Sequence, residues 1–228
     1  EHAAAILPYA ALATHVYCDG IQDQDGEDAR RQHAGCRHQG ELKDFGWQHL
    51  REFPRDAGAA ALPVTGSWRG LFFAVYYRDT APGEPVSLGV AFRGTNFSSW
   101  NDWHSNLRWF LPGRDQYDVV AEVARAVVDD AKREVARRLG REVTEWHIVS
   151  TGHSLGGGLA QLFAYKHAEV RGAVAFDPSP VTGYHSCVND AEVNCNVPVW
   201  RVYERGEVLT WLRAFTRLFY PLSENITE

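Results

Sequence analysis

Ser154 stands between two glycines in Gly152-His153-Ser154-Leu155-Gly156. The stretch before it, Glu145 to Thr151, is apolar and β-rich and reads as a buried strand. Gly157 to His167 after it reads as a helix. A Gly-x-Ser-x-Gly match alone is common, and its weight comes from this strand-turn-helix setting. So sharp a turn forces its central residue into a strained backbone, and only glycines let the neighbouring chain come close. The serine hydroxyl is raised above the sheet, beside a helix N-terminus whose amides favour negative charge. That arrangement suits acyl transfer. A serine hydroxyl is a poor nucleophile at neutral pH, so it needs a base, an acid to orient that base, and donors for the oxyanion. The amide of Leu155 is the first expected donor. The second belongs on a loop after an earlier strand. Ala91-Phe92-Arg93-Gly94-Thr95 stands there, with Gly94 giving close approach; an ordinary strand-end turn is the alternative.

Phe92-Arg93-Gly94-Thr95, then Trp103 and Leu107, then Gly-His-Ser-Leu-Gly-Gly from Gly152, resemble the class 3 lipase family of α/β hydrolases. The likeness runs from Leu71 to Phe219 and is only general before that. It implies that Thr95 supplies the second oxyanion donor. It also implies an acid after the second strand beyond the elbow. There Gly206-Glu207-Val208-Leu209 matches a Gly-Glu-x-Leu motif of some bacterial phospholipase-like members, so Glu207 is the expected acid. An ungapped match to the fungal members falls on Gly206 instead. Asp177, in Phe176-Asp177-Pro178-Ser179-Pro180, is the alternative acid, at the strand end where some other lipases keep theirs. The family's histidine base follows the acid, and no histidine follows His185. His185 lies between the two candidate acids, His153 in the elbow and His104 in the segment after the oxyanion loop. The base is expected in a segment outside this chain. In similar lipases a lid follows the oxyanion loop, which places Phe97 and Trp100 in a mobile cover. Phe97, Trp100, Trp103, Leu107 and Phe110 share one helical stripe, so a core-packed helix is the competing reading. Asn106 stands where many members have aspartate.

The elements that must hold these residues follow from periodicity. Ala3 to Tyr17 reads as an apolar helix with Pro8 near its first turn, and Asp19 to Gly40 as an exposed polar loop. Leu71 to Tyr77 and Val86 to Phe92 read as strands of a hairpin across the turn Thr80 to Pro85. Gln116 to Leu139 reads as an amphipathic helix with Val120, Val123, Val127, Ala131 and Val135 on one face. Asp129 with Arg133, and Glu134 with Arg138, fall four apart on its solvated side. Gly172 to Phe176 and Val197 to Tyr203 read as further strands, and Val208 to Phe219 as a closing helix. Alternating strands and helices imply an α/β chain with a mostly parallel central sheet flanked by helices, and the resemblance implies the α/β-hydrolase fold.

Composition sets the bounds. The 228 residues suit a single domain spanning 1–228, expected to lack a C-terminal segment. The net charge of -6 argues against nucleic acid as partner, and no apolar run is long enough to span a bilayer. Methionine is absent even at position 1, as in an excised domain or a processed chain. The four cysteines fall in two local pairs, Cys187 with Cys195 and Cys18 with Cys36, read as disulfides of an extracytoplasmic or secreted protein. The alternative is a metal site joining Cys18 to Cys36, His33 and His38, although the spacing fits no familiar zinc pattern. The expected activity is hydrolysis of carboxylic esters of lipids, of lipase or phospholipase A type, through an acyl-enzyme on Ser154. No cofactor or metal is required. The expected partners are a lipid or phospholipid substrate and a peripheral contact with membrane, with a protein inhibitor also compatible. A non-lipid esterase, acyltransferase or peptidase is one alternative. A catalytically inactive hydrolase scaffold that binds lipid or protein is another.

Overall fold

The computed structural model describes residues 2–19, 39–62, 68–81, 83–94, 116–179, 194–203 and 226–227. Its helices are α1 (His2–Asp19), α2 (Gln39–Asp44), α3 (Gln116–Leu139) and α4 (Leu155–Tyr165). Its strands are β1 (Gln48–Phe53), β2 (Phe73–Arg78), β3 (Val86–Phe92), β4 (Trp146–His153), β5 (Val170–Phe176), β6 (Val199–Val202) and β7 (Ile226–Thr227). They form one seven-stranded sheet in chain order. β1, β2 and β3 pair antiparallel, and every pairing from β3 to β7 is parallel. The expected hairpin is the β2–β3 pair, with Phe73 opposite Phe92. The expected closing helix and the bulk of the polar loop after α1 lie outside the described residues. Among those residues no helix is long and apolar enough to cross a membrane.

Side chains of a strand alternate between faces, so each strand serves two cores. Phe73, Val75 and Tyr77 of β2 join Val86, Leu88, Val90 and Phe92 of β3 beneath α3 and α4. Ala74, Tyr76 and Ala91 join Tyr9, Leu12 and Val16 of α1 on the opposite face. A sheet covered on both sides needs near-continuous apolar strands, and all of β3 is buried. Gly89 leaves room for α1: a methyl there would collide with Leu12 Cδ1. Pro8 lies inside α1, which continues through it although proline removes one helix hydrogen bond.

α3 has the bounds its periodicity predicts, and Val120, Val123, Val127, Ala131 and Val135 are buried. Its expected solvated side differs. Asp130 is buried and accepts a 2.7 Å hydrogen bond from Arg51 Nε of β1. Arg133 points toward Asp130, at 3.9 Å, rather than to Asp129. Arg138 pairs with Glu134 at 2.9 Å, as its spacing predicts, and also donates to the carbonyls of His49 and Leu50 in β1. The reason is β1, an edge strand the sequence did not reveal, which covers this side of α3. Hydrogen bonds from Arg137 first, then Arg138, hold the Glu134 carboxyl down at about 2. Because that value is lower than in the unfolded chain, the stabilisation is complete above about pH 4.3 and fades as pH falls toward the folded value. Glu134→Gln is expected to flatten the decline of Tm between roughly pH 4.5 and 2. An unchanged decline would contradict this.

Candidate active site

β3, β4 and β5 run parallel and end at one sheet edge, with Phe92 beside Gly152 and His153 beside Phe176. Ligand sites of open α/β sheets sit at this carboxyl edge. Polar side chains tie β4 into place just before it: Ser150 Oγ donates to the Ala160 carbonyl at 2.7 Å, and Thr151 Oγ1 to that of Val174 at 2.8 Å.

β4 continues to His153, and α4 starts at Leu155, so Ser154 alone makes the turn. Its φ of 56° and ψ of -123° are those of the first central residue of a type II′ turn, a glycine position. A side chain there costs about 1–3 kcal/mol and persists only where its surroundings dictate it. They do so through backbone hydrogen bonds. The Ser154 N–H donates to the Phe176 carbonyl at 3.0 Å. The Ser154 carbonyl accepts from the amides of Gly157 (3.0 Å), Gly158 (3.3 Å) and Ser179 (3.0 Å). The hydroxyl makes no capping bond to α4, although serine is a favoured cap, and the residue is 8% exposed. The first amides of a helix have no partner within it, and the bonds to the Ser154 carbonyl use those of Gly157 and Gly158 rather than that of Leu155.

The glycines serve close approach. A methyl on Gly156 would run into the Phe92 carbonyl, one on Gly152 into the Gly156 carbonyl, and one on Gly157 would lie 3.0 Å from Pro178 Cβ. β3, the elbow and the chain after β5 are therefore packed backbone to backbone.

The loop expected to supply the second oxyanion donor is described as far as Gly94; Thr95 and the lid candidates Phe97 and Trp100 lie outside the described residues. The Arg93 N–H donates to the Phe72 carbonyl at 3.0 Å, and its guanidinium lies 4.4 Å over the Phe72 ring. Gly94 lies against the elbow: a methyl on it would stand 2.7 Å from the His153 carbonyl oxygen and 3.4 Å from the Gly156 amide nitrogen. Its N–H donates to the Tyr17 hydroxyl at 3.0 Å. Sequence reasoning missed Tyr17, since nothing local connects α1 to a loop 77 residues onward.

Of the candidate acids, Glu207 lies outside the described residues. Asp177 follows Phe176, takes a positive φ of 40°, and donates its N–H to the Val202 carbonyl at 2.8 Å. The ends of β5 and β6 are thus joined beside the elbow. Buried Gln161 of α4 reinforces this edge, donating to the Gly157 carbonyl and accepting from Arg201 Nε (3.0 Å) and Nη2 (2.8 Å) of β6.

His153 turns toward α1, with its ring against Tyr17 at 6.5 Å and 63°. It lines a cavity of about 320 Å³ with Ala10, Ala13, Tyr17 and Phe176. Burial pushes its pKa down, against an opposing pull from Asp177, and so favours the neutral ring. His15 lies at 3.4 Å from Tyr76 Oη, His147 at 3.4 Å from Tyr9 Oη, and His167 accepts from the Glu169 amide. None of these described histidines bonds to Ser154; His104 and His185 lie outside the described residues.

Among the described residues no three His, Cys, Asp or Glu side chains gather as metal ligands. Cys18 and Cys195 are disulfide-bonded, which withdraws Cys18 from the metal alternative. Cys36 and Cys187, their expected partners, lie outside the described residues, as do His33 and His38.

The family model of the Tle-like phospholipase domain, described as phospholipase-like, matches residues 8–214. That span runs from within α1 through the expected oxyanion loop and the elbow to both candidate acids. It points to lipid-ester hydrolysis without singling out the class 3 lipases that the motifs resemble. No curated protein matches the chain. From α1 through β6 and beyond, this chain belongs to the Tle-like phospholipase domain family.

Proposed function

We propose that the protein is a serine hydrolase of the α/β-hydrolase fold that cleaves a carboxylic ester of phospholipids through an acyl-enzyme. The observation that carries this reading is Ser154 itself, held at φ 56° with its hydroxyl unused by the helix it begins. Ser154 Oγ attacks the ester carbonyl carbon while its proton passes to a histidine outside the described residues. The carbonyl oxygen becomes an oxyanion facing the amide of Leu155 and a donor from Thr95, each such donor being worth about 3 kcal/mol in the transition state. The intermediate collapses, the alcohol departs as lysophospholipid with the proton, and water then releases the fatty acid from Ser154. Glu207 orients the base, with Asp177 as the alternative. Phe97 and Trp100 belong to a lid, and the protein meets the membrane surface peripherally. The disulfide-bonded cysteines favour action outside the cytoplasm.

The test is hydrolysis of phosphatidylethanolamine and phosphatidylglycerol vesicles by the full chain, beside a triacylglycerol emulsion and a soluble short-chain ester. Equal amounts of fatty acid and lysophospholipid are expected. Cleavage of the soluble ester alone would instead indicate a non-lipid esterase. Binding to vesicles without cleavage of any ester would indicate a hydrolase scaffold turned to lipid binding.

A further inference from the structure

We infer that Tyr17 is a positioning residue of the oxyanion loop, holding in place the amide of Gly94, the residue next in sequence to the proposed donor Thr95. This rests on the reading of Ser154 and Thr95 above. β3 ends at Phe92, so the Gly94 N–H has left the sheet's hydrogen-bond ladder. Its partner is the Tyr17 hydroxyl, 3.0 Å away on α1. Space on both sides of Gly94 is closed: a methyl there would stand 2.7 Å from Tyr17 Oη and 2.7 Å from the His153 carbonyl oxygen. Gly94 is therefore gripped between α1 and the residue that precedes the nucleophile. Arg93 is fixed separately, on Phe72.

The hydroxyl that grips Gly94 is itself well placed. Its ring meets His153 edge to face. Neighbouring Cys18 is tied by a disulfide. Further back, the Tyr9 carbonyl of α1 stands 3.3 Å from Thr151 Oγ1 of β4, which shares its one proton between it and the nearer Val174 carbonyl. Burial raises the Tyr17 pKa, so the phenol stays neutral. Donors aimed at a developing charge are effective when they need not reorganise during reaction, and residues 93 and 94 are held in that manner.

Tyr17→Phe keeps the ring against His153 and removes only the acceptor. Its kcat on a soluble p-nitrophenyl ester is expected to fall about 10- to 100-fold, with KM within about twofold of wild type. Hydrogen exchange of the Gly94 amide, read by NMR, should quicken about tenfold in Tyr17→Phe and stay unchanged in Ser154→Ala. An unchanged kcat, or a lowered kcat with unchanged Gly94 exchange, would overturn the assignment. So would a loss of activity that only tracks loss of folded protein. An active wild type with an equally active Tyr17→Phe sinks this inference alone. A wild type inert toward every ester sinks the reading of Ser154, and the role of Tyr17 in the reaction with it.

Discussion

Ser154→Ala is expected to lower kcat about a millionfold, the scale seen when a nucleophile that acts as one unit with its base is removed. Stability should hardly move, because alanine keeps the β-carbon that makes φ 56° costly and the lost hydroxyl capped nothing. Ser154→Gly separates the two effects. It also deletes the proposed nucleophile, but glycine takes these dihedrals freely. Relief of the strain exceeds the extra chain entropy of glycine by about 1 kcal/mol, so Tm should rise by roughly 3 °C. An inactive, stabilised Ser154→Gly beside an inactive, unstabilised Ser154→Ala would show strain held at the reacting group. Full turnover by either variant would remove Ser154 from the chemistry.

Gly156→Ala is expected to cost about 3 kcal/mol or more and to abolish activity in whatever protein folds. The new methyl would meet the Phe92 carbonyl oxygen and lie 2.9 Å from its carbon and 3.0 Å from that of Arg93, all main-chain atoms that no rotamer change can clear. The strand must then move away from the helix. That motion carries the Arg93–Gly94 loop away from Leu155, so stability and oxyanion geometry fail together. Gly58→Ala is the control, since a β-carbon there meets nothing within 4 Å. It should be neutral or stabilising by less than about 1 kcal/mol. Urea unfolding of the variants beside wild type measures both, and a Gly156→Ala protein as stable as wild type would contradict the close packing.

What the sequence disclosed follows from where each element's information lies. α3 could be bounded because its valines recur on one face and Gly140 follows it, and β3 because an apolar run is framed by turn residues. β1 escaped notice because Gln48-His-Leu-Arg-Glu-Phe53 carries charge through its middle, and its partners lie far along the chain: Arg51 on Asp130, and the His49 and Leu50 carbonyls on Arg138. The elbow was legible in type but not in extent. The helix expected from Gly157 to His167 runs instead from Leu155 to Tyr165, so it takes in Gly156 as well, although glycine is a poor helix former. Packing overrides propensity there, since at Gly156 and Gly157 a β-carbon would crowd Phe92 and Pro178. The expected strand from Val197 is shorter, beginning at Val199 just after Pro198, which has no N–H for a sheet ladder. Tyr17 left no trace in local pattern, because its meaning comes entirely from a hydrogen bond to Gly94. Asp177 was visible as a candidate acid at a strand end, but its junction with β6 through Val202 appears only in three dimensions.

The measurement that bears most directly on the central claim is intact-mass and peptide mapping of the full chain after treatment with a fluorophosphonate. Such reagents capture a serine only where an activated hydroxyl faces oxyanion donors. One adduct per chain is expected, on the peptide that carries Ser154, and none on Ser154→Ala. A folded chain that takes up no label, or takes it up at another residue, would contradict the account.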